Sequence, residues 1–186
     1  MKKEDFMSGS NLQKATLASG CFWCTEAIFQ RLKGVQSVLP GYTGGVVDKP
    51  DYETVSSGSS GHAEAIQIVF DATVINYEQL LDVFFHLHDP TTINSQGADI
   101  GTQYRSAIFY HDEMQKQVAS KKIEQLTQEK AYKNPIVTEL APFTAFFSAE
   151  KYHQNYYNSN RGQGYCQVVI DPKIQKLMKN YSKLVK

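Results

Sequence analysis

Cys21 and Cys24 stand in Gly20-Cys21-Phe22-Trp23-Cys24, and Cys166 is the third and last cysteine of the chain. A thiol is a nucleophile and a redox group once it ionises, and a start-of-helix position favours the thiolate through free N–H groups and the macrodipole. Ala15 to Ser19 reads as a strand running into Gly20, with a helix after it, so Cys21 is expected at that junction with a lowered pKa. A strand-turn-helix also projects the residue beyond the sheet, where a substrate can reach it. The plain alternative is a buried structural cysteine, a common fate of free thiols. Phe22 and Trp23, the only tryptophan, are suited to wall an apolar pocket beside a nucleophile, or simply to pack.

The Cys-x-x-Cys spacing also fits a thioredoxin-like redox pair or half of a zinc site. Zinc needs two further ligands, and the five histidines form no paired signature near Cys166. His86 and His88 lie two apart in a predicted helix and point to different sides. No metal is expected. The thioredoxin reading lacks a surrounding parallel βαβ pattern.

Two stretches without periodicity, Pro40 to Gly61 and Thr91 to Gln103, carry hydroxyl and carboxyl groups: Tyr42, Asp48, Asp51, Tyr52 and Glu53, then Asp99, with Tyr104 just beyond. Long loops in a compact domain are usually functional or disordered. Glu64 follows the Ser/Gly-rich turn Ser56 to Gly61. Singly each is a solvated loop residue; together they form donors able to hold a polar oxygen near a thiol.

The elements that position these groups follow from periodicity. Trp23, Ala27, Ile28 and Leu32 give the first helix an apolar face, stopped at Gly34, and Val35 to Leu39 continues as a strand. His62 to Phe70 alternates. Asn76 caps a helix carrying Tyr77, Leu80, Leu81, Phe84 and Phe85. A strand follows around Tyr104 to Tyr110, and Asp112 caps a longer helix that Asn134-Pro135 ends. Ile136 to Ala141 reads as a strand, and Ile174, Leu177, Met178, Tyr181 and Val185 as an amphipathic terminal helix over 173–186. Interleaved elements with hairpin-like and long connections favour an α+β, two-layer domain over a fully parallel sheet.

The 186 residues suit one domain, 1–186 with a core over about 14–172, and 41% hydrophobic with 20% charged residues fits a soluble globular chain. Nineteen basic and nineteen acidic residues balance, which argues against a general nucleic-acid binder, although the tail after Pro172 is locally Lys-rich. Met1 to Lys14 has no apolar run of a leader or anchor, and no stretch reaches the roughly 18 to 20 apolar residues that span a bilayer. A cytoplasmic setting is therefore expected, in keeping with three cysteines, too few for a disulfide framework.

Seven motifs run in order along the chain: Gly20-Cys21-Phe22-Trp23, Gly41-Tyr42-Thr43-Gly44-Gly45, Gly61-His62-Ala63-Glu64, His88-Asp89-Pro90-Thr91, Gly101-Thr102-Gln103-Tyr104-Arg105-Ser106, Tyr152-His153-Gln154 and Gly164-Tyr165-Cys166. In this series the chain resembles the A-class peptide methionine sulfoxide reductases over residues 14 to 172. The resemblance implies an α+β sandwich on a mixed, mainly antiparallel sheet with a ferredoxin-like core. It implies reduction of the S epimer of methionine sulfoxide, free or in proteins, with no bound metal, flavin or nicotinamide and with thioredoxin as reductant. By the same resemblance, Cys21 attacks the sulfoxide sulfur and becomes a sulfenic acid, and Phe22 and Trp23 enclose the S-methyl group. Tyr52, Glu64 and Tyr104 hold the oxygen, Glu64 donates the proton, and Asp99, His153 and Tyr156 support by hydrogen bonding. Cys166, on a glycine-flanked loop, resolves the sulfenic acid to a disulfide. Many relatives have a small residue in place of Cys24, so either Cys166 or Cys24 is able to attack first; Cys166 is favoured, because short disulfides are strained. A general disulfide oxidoreductase using Cys21 and Cys24, or a non-catalytic metal-sensing module, are the rival readings.

Overall fold

Alternating apolar residues build a six-stranded sheet in the computed structural model, which describes residues 11–186. The expectation about a leader or anchor therefore lies, for residues 1–10, outside the described residues. In chain order the elements are β1 (Leu12–Ser19), α1 (Phe22–Phe29), β2 (Val35–Thr43), α2 (Tyr52–Ser56), β3 (Ala63–Asp71), α3 (Tyr77–Leu87), β4 (Ser95–Gln96), β5 (Asp99–Ile100), β6 (Ser106–Tyr110), α4 (Glu113–Gln128), β7 (Glu139–Pro142), β8 (Phe146–Ser148), α5 (Tyr156–Ser159) and α6 (Asp171–Asn180). The large sheet has the order β7-β6-β1-β3-β2-β8, and β4 pairs with β5 in a small hairpin of its own. Only β6 and β7 run parallel within the large sheet; the other neighbours are antiparallel. The fold is thus α+β on a mixed, mainly antiparallel sheet.

Period-two alternation decides which side chain meets which layer. Ala15 and Leu17 of β1 and Ile66, Ile68 and Phe70 of β3 join Ile28 and Phe29 of α1 and Leu80, Leu81 and Phe84 of α3 in the main core. Burying each of these large side chains contributes about 1.5–3 kcal/mol, so this face dominates the stability of the sheet. Ala18, Ala63, Ala65 and Ala107 lie in a smaller cluster with Phe109, against which Phe143 and Phe146 pack. Glu64 shares the parity of Ile66 and Ile68, and it stands opposite Tyr42 of β2. Its carboxyl is consequently delivered to the helix-covered face.

Several expected boundaries shift. Pro40 to Gly61 is not one long loop: β2 continues to Thr43 because Gly41 to Thr43 pair with both β3 and β8, and Asp51 caps α2 by accepting from the Thr54 N–H at 2.8 Å. Thr91 to Gln103 likewise contains the β4–β5 hairpin and a 3-10 turn, Thr102–Tyr104. The first helix ends at Phe29, short of Leu32, and α4 ends at Gln128, before Asn134-Pro135. The strand expected over Ile136 to Ala141 begins only at Glu139, where its register with Ala107 starts. The terminal helix stops at Asn180; Met178 is half exposed, and Val185 instead bridges to Leu32. No helix among the described residues is long and apolar enough to cross a membrane.

The Asn76 cap is present with its reciprocal half: the Asn76 side chain accepts from the Gln79 N–H at 2.8 Å, and Gln79 Oε1 accepts from the Asn76 N–H at 3.0 Å. We predict that Asn76→Ala lowers stability by about 1 kcal/mol, seen as a lower urea midpoint at unchanged m-value. An unmoved midpoint would show that the cap contributes nothing.

Candidate active site

The site forms where β1 hands the chain to α1. Gly20 takes φ +92°, a backbone conformation that L side chains rarely adopt, and an added Cβ would lie 2.7 Å from the Gln96 side chain. The turn leaves Cys21 as the N-cap residue of α1, with no side-chain cap bond of its own. The first free N–H of the helix, on Phe22, is satisfied from 42 residues away by Glu64 Oε2 at 3.0 Å. A β3 carboxyl therefore caps the helix that carries the thiol.

Burial sets the protonation of this carboxyl. Glu64 is 2% exposed, and desolvation pushes its pKa to about 8 against the downward pull of the Phe22 N–H, with Asp99 and Cys24 adding to the rise. Near pH 7 it is a neutral acid. Because one oxygen accepts the Phe22 N–H, the other is left to carry the proton. Tyr52, at the start of α2, and Tyr104, at the end of the 3-10 turn, are raised first by burial and then by the charges of Glu64 and Cys21. Their phenols stay protonated and remain hydrogen-bond donors.

The expected lowering of the Cys21 pKa is corrected. Cys21 is buried, and desolvation, its hydrogen bond with Cys24 and the nearby charges of Glu64 and Cys24 push its thiol well above the ordinary range. Burial outweighs the helix N-terminus. Cys24 moves the other way, to about 7: its hydrogen bond with Cys21 comes first, burial opposes it, and the Lys173 ammonium and Tyr165 hydroxyl assist. Cys24 Sγ lies 3.7 Å from the Tyr165 hydroxyl, which donates to Asp99 Oδ2 at 2.8 Å. The expected loop for Cys166 is also corrected. Cys166 opens a π-helical turn, Cys166–Ile170, that runs into α6, and it is fully buried in a cluster with Cys21, Cys24, Ala27 and Tyr157. Desolvation raises its thiol, with Asp171 and Cys24 as further causes.

The aromatic residues converge on Trp23. Tyr156 stacks on its indole at 3.7 Å with an interplanar angle of 7°, and Tyr165 meets it edge-on at 5.8 Å. Trp23 Nε1 donates to His153 Nδ1 at 3.1 Å, whose ring also lies 5.1 Å from Phe22 and 4.6 Å from Tyr52. His153 is 1% exposed, and its other ring nitrogen has no hydrogen-bond partner. Of the expected supporting groups, His153 thus bonds Trp23, Asp99 bonds Tyr165, and Tyr156 acts through its ring rather than by a side-chain hydrogen bond.

Asp48, Asp51 and Glu53 are not part of this assembly; Asp51 is spent on capping α2. Three contributors escaped the sequence reading. Glu150 accepts from the Tyr42 hydroxyl and the Tyr52 N–H, each at 2.8 Å, and so ties α2 to the sheet. Tyr165 joins Asp99 to Cys24, and the buried Glu26 accepts from the Asn155 N–H at 2.8 Å. Glu26 had one signal, a lone carboxylate inside the apolar run Thr25 to Phe29; Glu150 had none. A cavity of about 760 Å³ lies elsewhere, against His86, Tyr132, Lys133, Lys173 and Lys176, and none of the three cysteines lines it.

Two coupled thiols beside a neutral carboxylic acid and an aromatic wall make this a thiol-based redox site. The peptide methionine sulfoxide reductase family model matches residues 13–185. The chain is 53% identical over 170 residues to the peptide methionine sulfoxide reductase MsrA of Sulfolobus acidocaldarius, covering 91% of this chain and 96% of that protein. Mxr1 from Saccharomyces cerevisiae in its reduced form superposes with a TM-score of 0.76 at 36% identity, covering 83% and 89% of the two chains. Mxr1 in complex with Trx2 matches at a TM-score of 0.54 and 26% identity, covering 83% and 91%. The chain belongs to the peptide methionine sulfoxide reductase family.

The thiol pair yields a test independent of turnover. The interacting pair titrates as a unit, so thiolate absorbance should rise by one thiol near pH 7 and by Cys21 and Cys166 only above the ordinary thiol range. In Cys24→Ser the neutral step should vanish, and the Cys21 part of the alkaline rise should move to lower pH, since the charge of Cys24 no longer opposes it. Retention of the neutral step would assign it to Cys21.

Proposed function

We propose that Cys21 is the nucleophile, and Glu64 the proton donor, with which this chain reduces methionine sulfoxide to methionine. The observation that carries the assignment is the neutral, buried Glu64 carboxyl held on the Phe22 N–H, one residue from Cys21. Cys21 sulfur attacks the sulfoxide sulfur, Glu64 delivers its proton to the oxygen as negative charge develops there, and the proton that Cys21 gives up replaces it on Glu64. Oxygen ends on Cys21 as a sulfenic acid, and methionine leaves with its sulfur reduced. Tyr52 and Tyr104 donate hydrogen bonds to that oxygen, and Phe22 and Trp23 enclose the methyl group.

The sulfenic acid is then attacked by a thiolate, forming a disulfide and releasing water. Cys24 is the better attacker. It is hydrogen-bonded to Cys21 and ionises near pH 7, whereas Cys166 is buried and raised, and feels the charge of Cys24. The order Cys21–Cys24 disulfide first, then exchange with Cys166, reverses the preference drawn from the sequence. A thioredoxin returns the thiols to the reduced state, a role supported by the solved complex of Mxr1 with Trx2. Substrate is methionine sulfoxide, free or in oxidised proteins. A reducing, cytoplasmic setting suits three free cysteines. We also read residues 11–186 as one domain of two layers. Support comes from β1-α1-β2-β3-α3-β6 with the strand order β6-β1-β3-β2, the split βαβ arrangement of ferredoxin-like cores.

One equivalent of the separated S sulfoxide should convert wild-type protein to a Cys21–Cys24 disulfide by mass mapping, with the R epimer leaving all thiols free. Cys21→Ser should stay reduced with either. No oxidation by the S epimer would sink the activity, and a dominant Cys21–Cys166 bond would restore Cys166 as first attacker.

Neutral Glu64 is lost as pH rises through about 8, so the single-turnover rate should lose the contribution of its proton above that pH. Glu64→Gln should be slower by about a hundredfold to ten-thousandfold near neutrality and should lack this dependence. An unchanged rate would move the proton donor to Tyr52 or Tyr104.

A further inference from the structure

We propose that Glu26 is a positioning residue that sets the Trp23 wall of the substrate pocket by clamping the turn before α5. The inference rests on the reading of Trp23 as that wall. Glu26 lies in the middle of α1, 2% exposed, among Thr25, Ala27, Ile28 and Phe29, all buried. A carboxylate is costly there unless its oxygens are bonded. Its partners are two backbone donors on another segment: Oε1 accepts from the Asn155 N–H at 2.8 Å, and the carboxyl also takes the Tyr156 N–H.

Those donors belong to a tight turn whose own bonds, such as Asn158 Nδ2 to Asn155 Oδ1 at 2.6 Å, leave their N–H groups to Glu26. Asn155 has φ +54° and ψ +32°, the left-handed region that favours glycine, and the Asn155 side chain provides no cap to α5. With its backbone fixed by Glu26, the next residue places its ring parallel on Trp23 at 3.7 Å. The same stretch reaches Trp23 again through His153, which takes the indole N–H at 3.1 Å. Residues 153–156 therefore strap the indole, and Glu26 is the polar anchor that ties the strap to the helix on which Trp23 itself stands. An apolar residue at position 26 would fill the space but leave the N–H groups of Asn155 and Tyr156 without this acceptor. Desolvation raises Glu26 to about 7, opposed by both N–H groups, which marks how far the clamp resists the burial of its charge.

Glu26→Gln keeps the shape but turns an N–H₂ toward one of the donors. Trp23 is the only tryptophan, so its emission reports the clamp directly and without substrate. Emission should move to longer wavelength, and KM for the S sulfoxide should rise about two- to tenfold, the range that loss of one aromatic contact produces, with kcat changing less. Adding Glu26→Gln to Tyr156→Leu should cause little further loss beyond Tyr156→Leu alone, because both act on one contact. Glu26→Asp, which keeps the charge but shortens the reach, should give the same changes in smaller measure and serves if the glutamine variant fails to fold. Unchanged emission and KM, effects that simply add to those of Tyr156→Leu, or a lowered melting temperature at unaltered KM would each overturn the proposal. A wild-type protein inactive on both epimers would fail the functional reading alone, since the emission comparison still decides whether Glu26 positions Trp23.

Discussion

Everything at the site depends on one contact, the hydrogen bond from the Phe22 N–H to Glu64. It joins the third strand to the first helix and fixes the distance between an acid and a thiol that are 43 positions apart in sequence. The alternation of β3 aims Glu64 at the helix layer, and the end of β1 sets where the helix begins. The helix needs an acceptor at its first N–H, and the carboxyl needs a donor once it is buried. Each therefore solves the other's problem, and a neutral acid is left with one oxygen unspent.

The two cysteines of the helix divide the labour through their environments rather than their identities. Cys21 has the position that favours ionisation but loses it to burial and to neighbouring negative charge; Cys24 gains from the same contact. A thiolate and a carboxylate this close would repel each other, so each holds the other toward its protonated form. The group half-ionised near pH 7 lies beside the one that stays protonated. This asymmetry separates the site from a simple dithiol exchanger, which has no need of Glu64.

Much of the frame was legible in the sequence, and the gaps have physical causes. Strands β1 and β3, helices α3 and α4 and the Asn76 and Asp112 caps follow from period and capping residues alone. Capping and periodicity are local, and neighbours within four residues express them. The stretch mistaken for a loop around Thr43 owes its structure to pairing with distant partners such as Phe146, which no local pattern encodes, whereas Ser95 pairs locally with Ile100 in strands of two residues, too short to show a period. The pKa of Cys21 failed for a related reason: the helix start is a local feature, whereas burial by Tyr165 and the Cys166 region is not. Glu150 was invisible because its role lies wholly in contacts to Tyr42 and Tyr52, about a hundred residues earlier.

The π-helical turn that opens at Cys166 carries a consequence for how the chain tolerates change. Such turns hold one residue more than an α-helical turn would, and each residue in an α-helix rotates the chain by roughly 100° about the axis. Deleting one of Gln167 to Val169 would let the segment relax into regular α-helix, a gain in local regularity. Five residues of such a turn sweep about the same angle as four of an α-helix, so the sulfur of Cys166 would keep its direction relative to Ile170 and Leu177, which are anchored in the core. The supernumerary residue is thus absorbed where it stands, and a chain shorter by one at this turn would keep both the helix and the address of its third thiol.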